Sequence, residues 1–270
     1  VLTDKNECCG VKCINENTSK IKTFIADAVI LASGGLNRLF GTTTGSVRND
    51  GYVTAKVFTQ GVELANLEMI QYHPTTAAIC GKRLLISEAA RGEGGRLFVL
   101  RDGEPRYFME EKYPELGNLM PRDITSREIV MNSSDGTAYI DMTALPSSTW
   151  ENKLSDMREQ MIDLLGIDPV KDYVHISPGI HYFMGGIQVD HASRTTMEQL
   201  YAVGETSNNG VHGRNRLASN SLLESLVFAK RAANDISEKF PVVKRNEDLF
   251  WSFNIEKYSD QEKLRREYEQ

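Results

Sequence analysis

Residues 28–35 read Ala-Val-Ile-Leu-Ala-Ser-Gly-Gly, an uninterrupted apolar run that ends in two glycines. Such a run is typical of a strand that is buried on both faces of an α/β sheet. Glycines at the carboxyl end of this strand would let a ligand approach the backbone, although a plain tight turn uses the same residues. A second short apolar run at residues 200–203 ends in Gly204 and Glu205. Together the two runs predict an α/β domain built from distant parts of the chain.

Other segments carry the periodicity of helices or the alternation of strands. Residues 11–14 and 21–25 flank a polar turn and predict a hairpin of half-exposed strands. An amphipathic helical pattern lies between Gly51 and Leu67, and another helix is predicted over residues 147–165, ending at Gly166. An uninterrupted helix is predicted from about Asn220 to Lys239.

The stretch from about 70 to 182 differs from its surroundings, because charged turns rich in glycine replace the apolar runs. Pro74 disfavours a helical conformation at His73, so the chain is expected to cross from one unit to the other near this point. We predict one discontinuous α/β domain from residues 1–69 and 183–240, and an inserted domain over residues 70–182.

Composition excludes several classes of function. The net charge of −6 argues against a nucleic-acid surface, which needs clustered Lys and Arg. No apolar run approaches the roughly 20 residues that a membrane span requires, and residues 1–4 show no signal-peptide pattern, so a soluble, cytoplasmic protein is expected. The four cysteines are too few for a disulfide scaffold, and their spacing does not predict a metal site.

Two short segments combine charged groups with glycines. In residues 87–95, Glu88 and Arg91 stand three apart, a spacing that allows contact on a helix but also suits a solvated ion pair. His181 stands just ahead of two glycines, after an apolar approach that contains a proline. That histidine is either a satisfied core residue or a group that contacts a ligand.

The loop at residues 210–220 gathers polar donors directly before the long predicted helix. It holds two arginines, two asparagines and one serine, and a further serine follows at position 221. The first N–H groups and the dipole of a helix attract anions. Capping alone needs a single serine or asparagine. The excess of donors therefore favours an anionic ligand, which an acidic protein must hold in a local cationic pocket.

Five motifs occur in one order along the chain. They are Gln71-Tyr72-His73-Pro74-Thr75, the block at 87–94, Pro121-Arg122-Asp123, the block at 181–186, and Gly204-Glu205 leading to residues 215–224. Together they resemble the succinate dehydrogenase and fumarate reductase flavoprotein family. Within that family, residues 217–221 and 194–196 look more like the L-aspartate oxidase branch, because respiratory members tend to read Leu-Gly-Ala-Asn-Ser at the first of these places.

The resemblance implies a flavin enzyme that acts on a small dicarboxylate. By this resemblance His73 and Ser87 hold one end of the substrate, and His181 and Arg216 hold the other. Arg122 is implied as the proton acceptor or donor, relayed through Glu88 and Arg91. The FAD contacts that it implies are Gly34, Gly35, Asp50, Glu205, Ser221 and Leu222.

For the L-aspartate oxidase branch, the implied reaction is oxidation of L-aspartate to iminoaspartate, with oxygen or fumarate as the electron acceptor. Its product would feed quinolinate and NAD synthesis, so quinolinate synthase would act downstream. Two other interpretations stay open: a fumarate reductase or succinate dehydrogenase flavoprotein subunit, and a non-catalytic α/β interaction module.

The fold that the resemblance implies is an α/β fold: a partial FAD-binding Rossmann-like domain with an inserted α+β capping domain. The start of a C-terminal helical region is implied at residues 241–270. The family's G-x-G-x-x-G fingerprint does not occur in the 270 residues. This predicts that the chain lacks the front of the family's FAD domain and binds FAD weakly or not at all. Two departures from the family pattern are Arg214, expected to crowd the pocket entrance, and the segment Arg48-Asn49-Asp50-Gly51 around Asp50.

Overall fold

The computed structural model describes residues 1–240, so the helical region predicted at 241–270 lies outside the described residues. The strands are β1 (Leu2–Asp4), β2 (Glu7–Ile14), β3 (Ile21–Ile25), β4 (Val29–Leu31), β5 (Leu64–Ala65), β6 (Ile70–Ile79), β7 (Lys82–Leu85), β8 (Arg96–Arg101), β9 (Glu104–Arg106), β10 (Ala138–Asp141), β11 (Val174–Phe183), β12 (Gly186–Gln188), β13 (Leu200–Ala202) and β14 (Ser207–Asn208). The α-helices are α1 (Tyr52–Phe58), α2 (Glu88–Gly92), α3 (Phe108–Lys112), α4 (Arg122–Asn132), α5 (Ser147–Asn152), α6 (Ser155–Leu165) and α7 (Asn220–Lys239).

The largest sheet has six antiparallel strands in the order β7-β6-β11-β10-β8-β9, all taken from residues 70–183. The smaller sheets, β1-β2-β3, β14-β12-β5 and β13-β4, use strands from residues 2–65 and 186–208. Strands β4 and β13 pair in parallel, with Leu200 opposite Val29, although about 170 residues separate them. The division into residues 1–69 with 183–240 and an insert at 70–182 stays a prediction, and β11 runs one residue past its boundary, to Phe183.

The buried hydrophobic side chains form two clusters that follow the same division. One packs the six-stranded sheet against the helices α2 to α6, with Phe108, Ile129 and Met161 fully or almost fully buried. The other joins β2, β4, α1 and β13 and includes Val57, Ile187 and Leu200. Burial of apolar area at about 25 cal/mol per Å² is the main force that holds each part together.

Two sequence predictions are confirmed in detail. The hairpin forms from β2 and β3, with Val11 opposite Phe24. Helix α7 covers Asn220–Lys239, the range predicted. Its apolar and polar residues repeat at the helical period without a break by proline or glycine, and this is the condition under which sequence defines a helix best.

Three other predictions need correction. Strand β4 is not buried on both faces, since the Ile30 side chain is 47% exposed and β4 pairs with β13 alone. Helix α1 ends at Phe58, well before Leu67, because the backbone turns at Gly61 with a φ of +94° and then enters β5. The helix predicted over 147–165 is two helices, α5 and α6, although its end at a left-handed Gly166 is confirmed.

Among residues 1–240, no helix combines the length and the apolar character that crossing a bilayer requires.

Candidate active site

Irregular pairing between β6 and β11 sets the positions of two histidines. The register shifts at residues 177–179 and again at 180–182. At the first shift, each strand has a proline among its unpaired residues. A proline has no backbone N–H with which to bond across the sheet. His181 lies at the second shift. A bulge re-aims the side chains beside it, and here the rings of His73 and His181 lie 5.0 Å apart.

Both histidines are held through Nδ1. The Nδ1 atom of His181 lies 2.7 Å from the Thr44 hydroxyl. That of His73 lies 3.3 Å from the Thr75 N–H, from which it accepts when the proton is on Nε2, and 3.2 Å from the Thr75 carbonyl oxygen, to which it donates in the other tautomer. Neither Nε2 atom forms a hydrogen bond with the described residues. Burial and the nearby arginines lower the pKa of His73 well below its usual value and that of His181 to about 3. Both rings are therefore neutral near pH 7, and each offers a free Nε2.

Three buried arginines surround this pair. Arg91, Arg122 and Arg216 are 3%, 7% and 4% exposed. Within 4 Å of them, in the part of the chain that the structure describes, the one carboxylate is Glu88, which pairs with Arg91 at 3.4 Å and with Arg122 at 2.9 Å. Glu205 also interacts electrostatically with Arg216, although the two form no ion pair within 4 Å. Ion-paired carboxylates are therefore fewer than the buried guanidinium groups, and because buried charge without a close partner is costly, this arrangement favours an anionic ligand.

The Arg216 guanidinium presents an unoccupied bidentate edge. Its Nη1 donates to the carbonyl oxygen of Leu217 and to the hydroxyl of Ser221, both at 3.3 Å. Its Nε is buried without a partner, and Nη2 forms no hydrogen bond with the described residues. Elsewhere in this protein the same Nε and Nη2 edge binds both oxygens of a carboxylate, as in Arg96 with Glu110 and Arg158 with Asp168. Arg216 thus offers the edge that carboxylates prefer.

Arg122 is anchored from two sides at the start of α4. Its Nε donates to Glu88 at 2.9 Å and its Nη1 donates to the Gln71 side-chain oxygen at 3.0 Å. Gln71 in turn donates to the Asn215 side chain at 2.9 Å and to the carbonyl oxygen of Arg216 at 2.6 Å. These bonds leave the Nη2 group of Arg122 without a described partner. They also connect α4 to the loop that carries Arg216.

Ser87, one of the predicted substrate contacts, already uses its hydroxyl within the protein. Ser87 is exposed, and its hydroxyl accepts a hydrogen bond from the Ala89 N–H as the N-cap of α2. Its role in substrate binding stays a prediction. Arg214, predicted at the pocket entrance, is exposed and lines a cleft of about 460 Å³ next to Gln71 and Asn215.

Comparison with known proteins gives the family. A family model described as FAD binding domain matches residues 1–222. The succinate dehydrogenase flavoprotein subunit of Bacillus subtilis (strain 168) is 41% identical over 234 residues, which cover 84% of this chain and 40% of the relative. The L-aspartate oxidase of Clostridium acetobutylicum is 37% identical over 253 residues, which cover 92% of this chain and 55% of the relative.

The chain belongs to the FAD binding domain family.

A solved structure of quinol-fumarate reductase with menaquinol molecules matches this fold with a TM-score of 0.81 and 31% identity, over 92% of this chain and 46% of that one. The resemblance to succinate dehydrogenase, fumarate reductase and L-aspartate oxidase flavoproteins is thereby confirmed. Identities of 41% and 37% do not separate the branches. The chain spans about half the length of these relatives.

FAD is the cofactor of this family, and Glu205 is one of the residues predicted to contact it. The Glu205 side chain accepts hydrogen bonds at Oε1 from Asn37 at 2.8 Å and from the Phe183 N–H at 2.9 Å. Its Oε2 accepts none from the described residues. Burial raises the pKa of this carboxyl group. A half-buried acid with one free oxygen just after β13 can accept a hydrogen bond from a hydroxyl of a sugar chain, and contact with FAD stays a prediction for Glu205.

Contacts within the protein explain why residues 34 and 35, after the end of β4, are glycines. A Cβ atom at Gly35 would lie 2.5 Å from Glu205 Oε1, and one at Gly34 would lie 2.7 Å from the Asn49 side chain. Gly34 also has a φ of +75°, which favours glycine. The described residues therefore fill the space that we predicted for FAD, and direct contact of these two glycines with the cofactor stays a prediction.

The start of α7 suits the ring system of a flavin in part. No acidic residue lies in its first turn and no side chain caps it. Leu222, Leu223 and Leu226 are between 61% and 68% exposed and form an apolar surface beside it. However, the Leu222 N–H already donates to the Ser219 carbonyl oxygen at 3.1 Å, so of the two predicted backbone contacts Ser221 is the freer.

Asp50 is a local turn residue in this structure. It is exposed, and its carboxylate accepts from the Tyr52 N–H at 3.0 Å at the start of α1. A contact with FAD stays a prediction for Asp50.

Sequence reasoning gave no role to Gln71, Thr44 and Tyr182. Gln71 and Tyr182 lie inside quoted motifs, and this was a usable signal for both. Thr44 lies in a loop without a motif and reaches His181 only because the two segments meet in the fold.

Proposed function

We propose that this protein, with FAD bound, oxidises a small dicarboxylate, and that the substrate is L-aspartate, which becomes iminoaspartate. The buried arginines around His73 and His181, with the unoccupied edge of Arg216, carry this proposal. A dicarboxylate, aspartate included, has two anionic groups and needs two separate sets of donors, which this cluster offers. Residues 194–196 and 217–221, which resemble the L-aspartate oxidase branch, support aspartate as the substrate.

Substrate binding begins at Arg216. Its Nε and Nη2 groups would hold one carboxylate in a bidentate contact, and the free Nε2 of His181 would add a further hydrogen bond. His73, and Ser87 with a rotated side chain, would hold the other carboxylate. Donation to a carboxylate needs the neutral tautomer with its proton on Nε2, in which His181 Nδ1 accepts from the Thr44 hydroxyl and His73 Nδ1 accepts from the Thr75 N–H.

Proton transfer falls to Arg122. When bound, FAD would supply the acceptor for the hydride that leaves the α-carbon. Arg122 would first pass its Nε proton to the Glu88 carboxylate, to which that nitrogen donates at 2.9 Å. The guanidine, then neutral, would take the proton of the substrate amine at Nη2, so that Glu88 ends protonated and Arg122 ends charged.

Arg91 completes the relay. It pairs with Glu88 at 3.4 Å, and its burial lowers its pKa to about 10. An arginine normally stays charged, and the role of Arg122 therefore rests on the matching Arg-Asp motif and on this anchored, crowded setting. The product would supply quinolinate synthase in NAD synthesis.

A fumarate reductase or succinate dehydrogenase flavoprotein subunit is the second candidate. It is favoured by the 41% identity to the Bacillus subtilis subunit and would use the same carboxylate-binding residues. A non-catalytic module is a third class, and the unpaired buried donors count against it because they cost stability without a ligand.

One set of assays separates the three. It uses the whole protein with FAD bound, called the FAD-loaded protein throughout, since these 270 residues by themselves are predicted to bind FAD weakly or not at all. We expect bleaching of the flavin absorbance by L-aspartate and its return with oxygen or fumarate. Bleaching by succinate with dye reduction, and none by aspartate, would establish the second candidate instead. If neither compound reduces a stoichiometrically bound flavin, both enzymatic proposals are wrong.

A further inference from the structure

Tyr182 lies directly against the guanidinium that the proposed function assigns to the substrate carboxylate. The Arg216 guanidinium carbon lies 4.2 Å from the centre of the Tyr182 ring, over its face. The Tyr182 side chain is buried, with the residue 7% exposed. A cation over an aromatic face is attracted by the quadrupole of the ring, and the attraction grows when water is excluded.

Few other groups fix Arg216. The two hydrogen bonds from Nη1 are long, at 3.3 Å each, and no carboxylate of the described residues forms an ion pair with it. The ring face therefore supports a guanidinium whose Nε and Nη2 edge must stay unoccupied for the ligand. A partner that made hydrogen bonds would compete with the ligand for that edge, whereas an aromatic face does not.

A second ring supports Tyr182 from its edge. The His212 and Tyr182 rings are 5.6 Å apart and nearly perpendicular, at 88°. His212 Nε2 is buried without a hydrogen-bond partner in the described residues. A buried polar atom that finds no acceptor has a cost, and the perpendicular contact with Tyr182 is what the imidazole ring gains at this place.

We propose that Tyr182 is a positioning residue for the dicarboxylate. Its ring holds the Arg216 guanidinium flat through a cation–π contact, so that the Nε and Nη2 edge faces the carboxylate, and His212 fixes the ring. The inference rests on the proposed function, since it assumes that Arg216 binds the substrate. It assigns the ring, and not the phenol hydroxyl, to this task.

The test compares variants that keep or lose the ring. In the FAD-loaded protein, Tyr182→Phe should leave KM for the dicarboxylate within about twofold of the unaltered protein. Tyr182→Leu should raise KM roughly tenfold, the size expected for a desolvated cation–π contact, with kcat changed by less than about threefold. Tyr182→Met, which fills similar volume without a ring, should behave as Tyr182→Leu does and serves if the leucine variant does not fold.

A double-mutant cycle separates positioning from general packing. If Tyr182 acts through Arg216, adding Tyr182→Leu to Arg216→Leu should cause little further loss of kcat/KM. An equal loss in both backgrounds, or a phenylalanine variant as impaired as the leucine variant, would overturn the inference. His212→Phe, which keeps an edge contact, should keep kcat/KM closer to that of the unaltered protein than His212→Ala does, and the reverse order would count against the support from His212.

The same data tell the two proposals apart. If Arg216→Leu leaves kcat/KM unchanged, the proposed function itself is wrong at this contact. If Arg216→Leu lowers kcat/KM strongly but the three Tyr182 variants resemble the unaltered protein, only the positioning role of Tyr182 is wrong.

Discussion

Arg122 and Arg216 are both buried, but the groups that hold them differ. Arg122 is fixed by Glu88 at 2.9 Å and by Gln71 at 3.0 Å. Arg216 has two long bonds from Nη1 and an unoccupied edge. A guanidinium that is already paired with a carboxylate is suited to proton relay, whereas one with an unoccupied fork is suited to binding an anion.

Substitution of these arginines should therefore give different kinetics. Arg122→Leu should lower kcat by about a hundredfold or more, the usual contribution of a proton-transfer group, with a smaller change in KM. Arg216→Leu should mainly raise KM, since a charged hydrogen bond in a desolvated site contributes about 1.5–3 kcal/mol. Steady-state kinetics measure both. Arg127→Leu, an exposed arginine on the same helix as Arg122, is the control, and normal turnover in Arg122→Leu would contradict the proton-transfer role.

Stability should depend on pH through His181. Burial, and then the charges of Arg122 and Arg216, lower its pKa from 6.5 to about 3. The unfolded chain thus binds a proton between about pH 6.5 and 3 that the folded protein does not, so the contribution of this residue to stability is present above pH 6.5 and is lost as pH falls towards 3. The effect is on the order of a few kcal/mol.

Denaturant unfolding at several pH values measures it. The free energy of unfolding should fall less steeply with decreasing pH in His181→Gln than in the unaltered protein. His175→Gln removes an exposed histidine of the same strand and should leave the slope unchanged. Equal slopes in the two variants would mean that His181 is not a buried neutral base.

At the scale of elements, the sequence predicted the elements whose pattern is continuous along the chain. It did not predict the features that depend on which other segments pack against an element. Helix α7 matches its prediction because its periodicity is continuous over 20 residues. Strand β4 was expected to be covered on both faces. The exposure of Ile30 depends on the segments that pack around β4, and the residues of β4 themselves do not specify those segments. The break between α5 and α6 at residues 153–154 has no glycine or proline to announce it.

The candidate site shows the same limit. Motifs and family resemblance named His73, His181, Arg122 and Arg216, and the structure brings these four together. The contact of Thr44 with His181 was not predictable, because it joins segments 137 residues apart. The bulges could be suspected from the prolines in β6 and β11, but their register follows only from the paired strands.

Helix α7 is fastened to β13 by a cluster that can be tested on its own. Asp235 accepts from Arg194 Nε at 2.8 Å, from Arg194 Nη2 and from the Tyr201 hydroxyl at 2.7 Å. Asp235→Asn should lower the free energy of unfolding by about 1–2 kcal/mol, since it removes a charged acceptor that is 11% exposed. Urea unfolding measures this, with Glu238→Gln on the exposed side of α7 as the control. A loss no larger than in the control would show that the cluster does not hold the helix.

At the scale of the whole molecule, the buried arginine cluster is built from residues of the six-stranded part and from residues outside it. A chain of net charge −6 concentrates three arginines in a buried cluster. Residues from the six-stranded part supply His73, Arg122 and Glu88, and residues outside it supply Thr44 and Arg216. The bonds Thr44–His181 and Gln71–Asn215 join the two sets. A ligand of this site therefore needs both parts of the fold in contact.

Calorimetric titration of the FAD-loaded protein with malonate, a dicarboxylate with no oxidisable C–N bond, tests the central claim most directly. We predict saturable binding with one site, at least tenfold tighter than binding of acetate, and loss of that binding in Arg216→Leu but not in Arg127→Leu. Malonate binding of equal affinity in the unaltered protein and in Arg216→Leu would contradict the assignment of this cationic cluster as a dicarboxylate site.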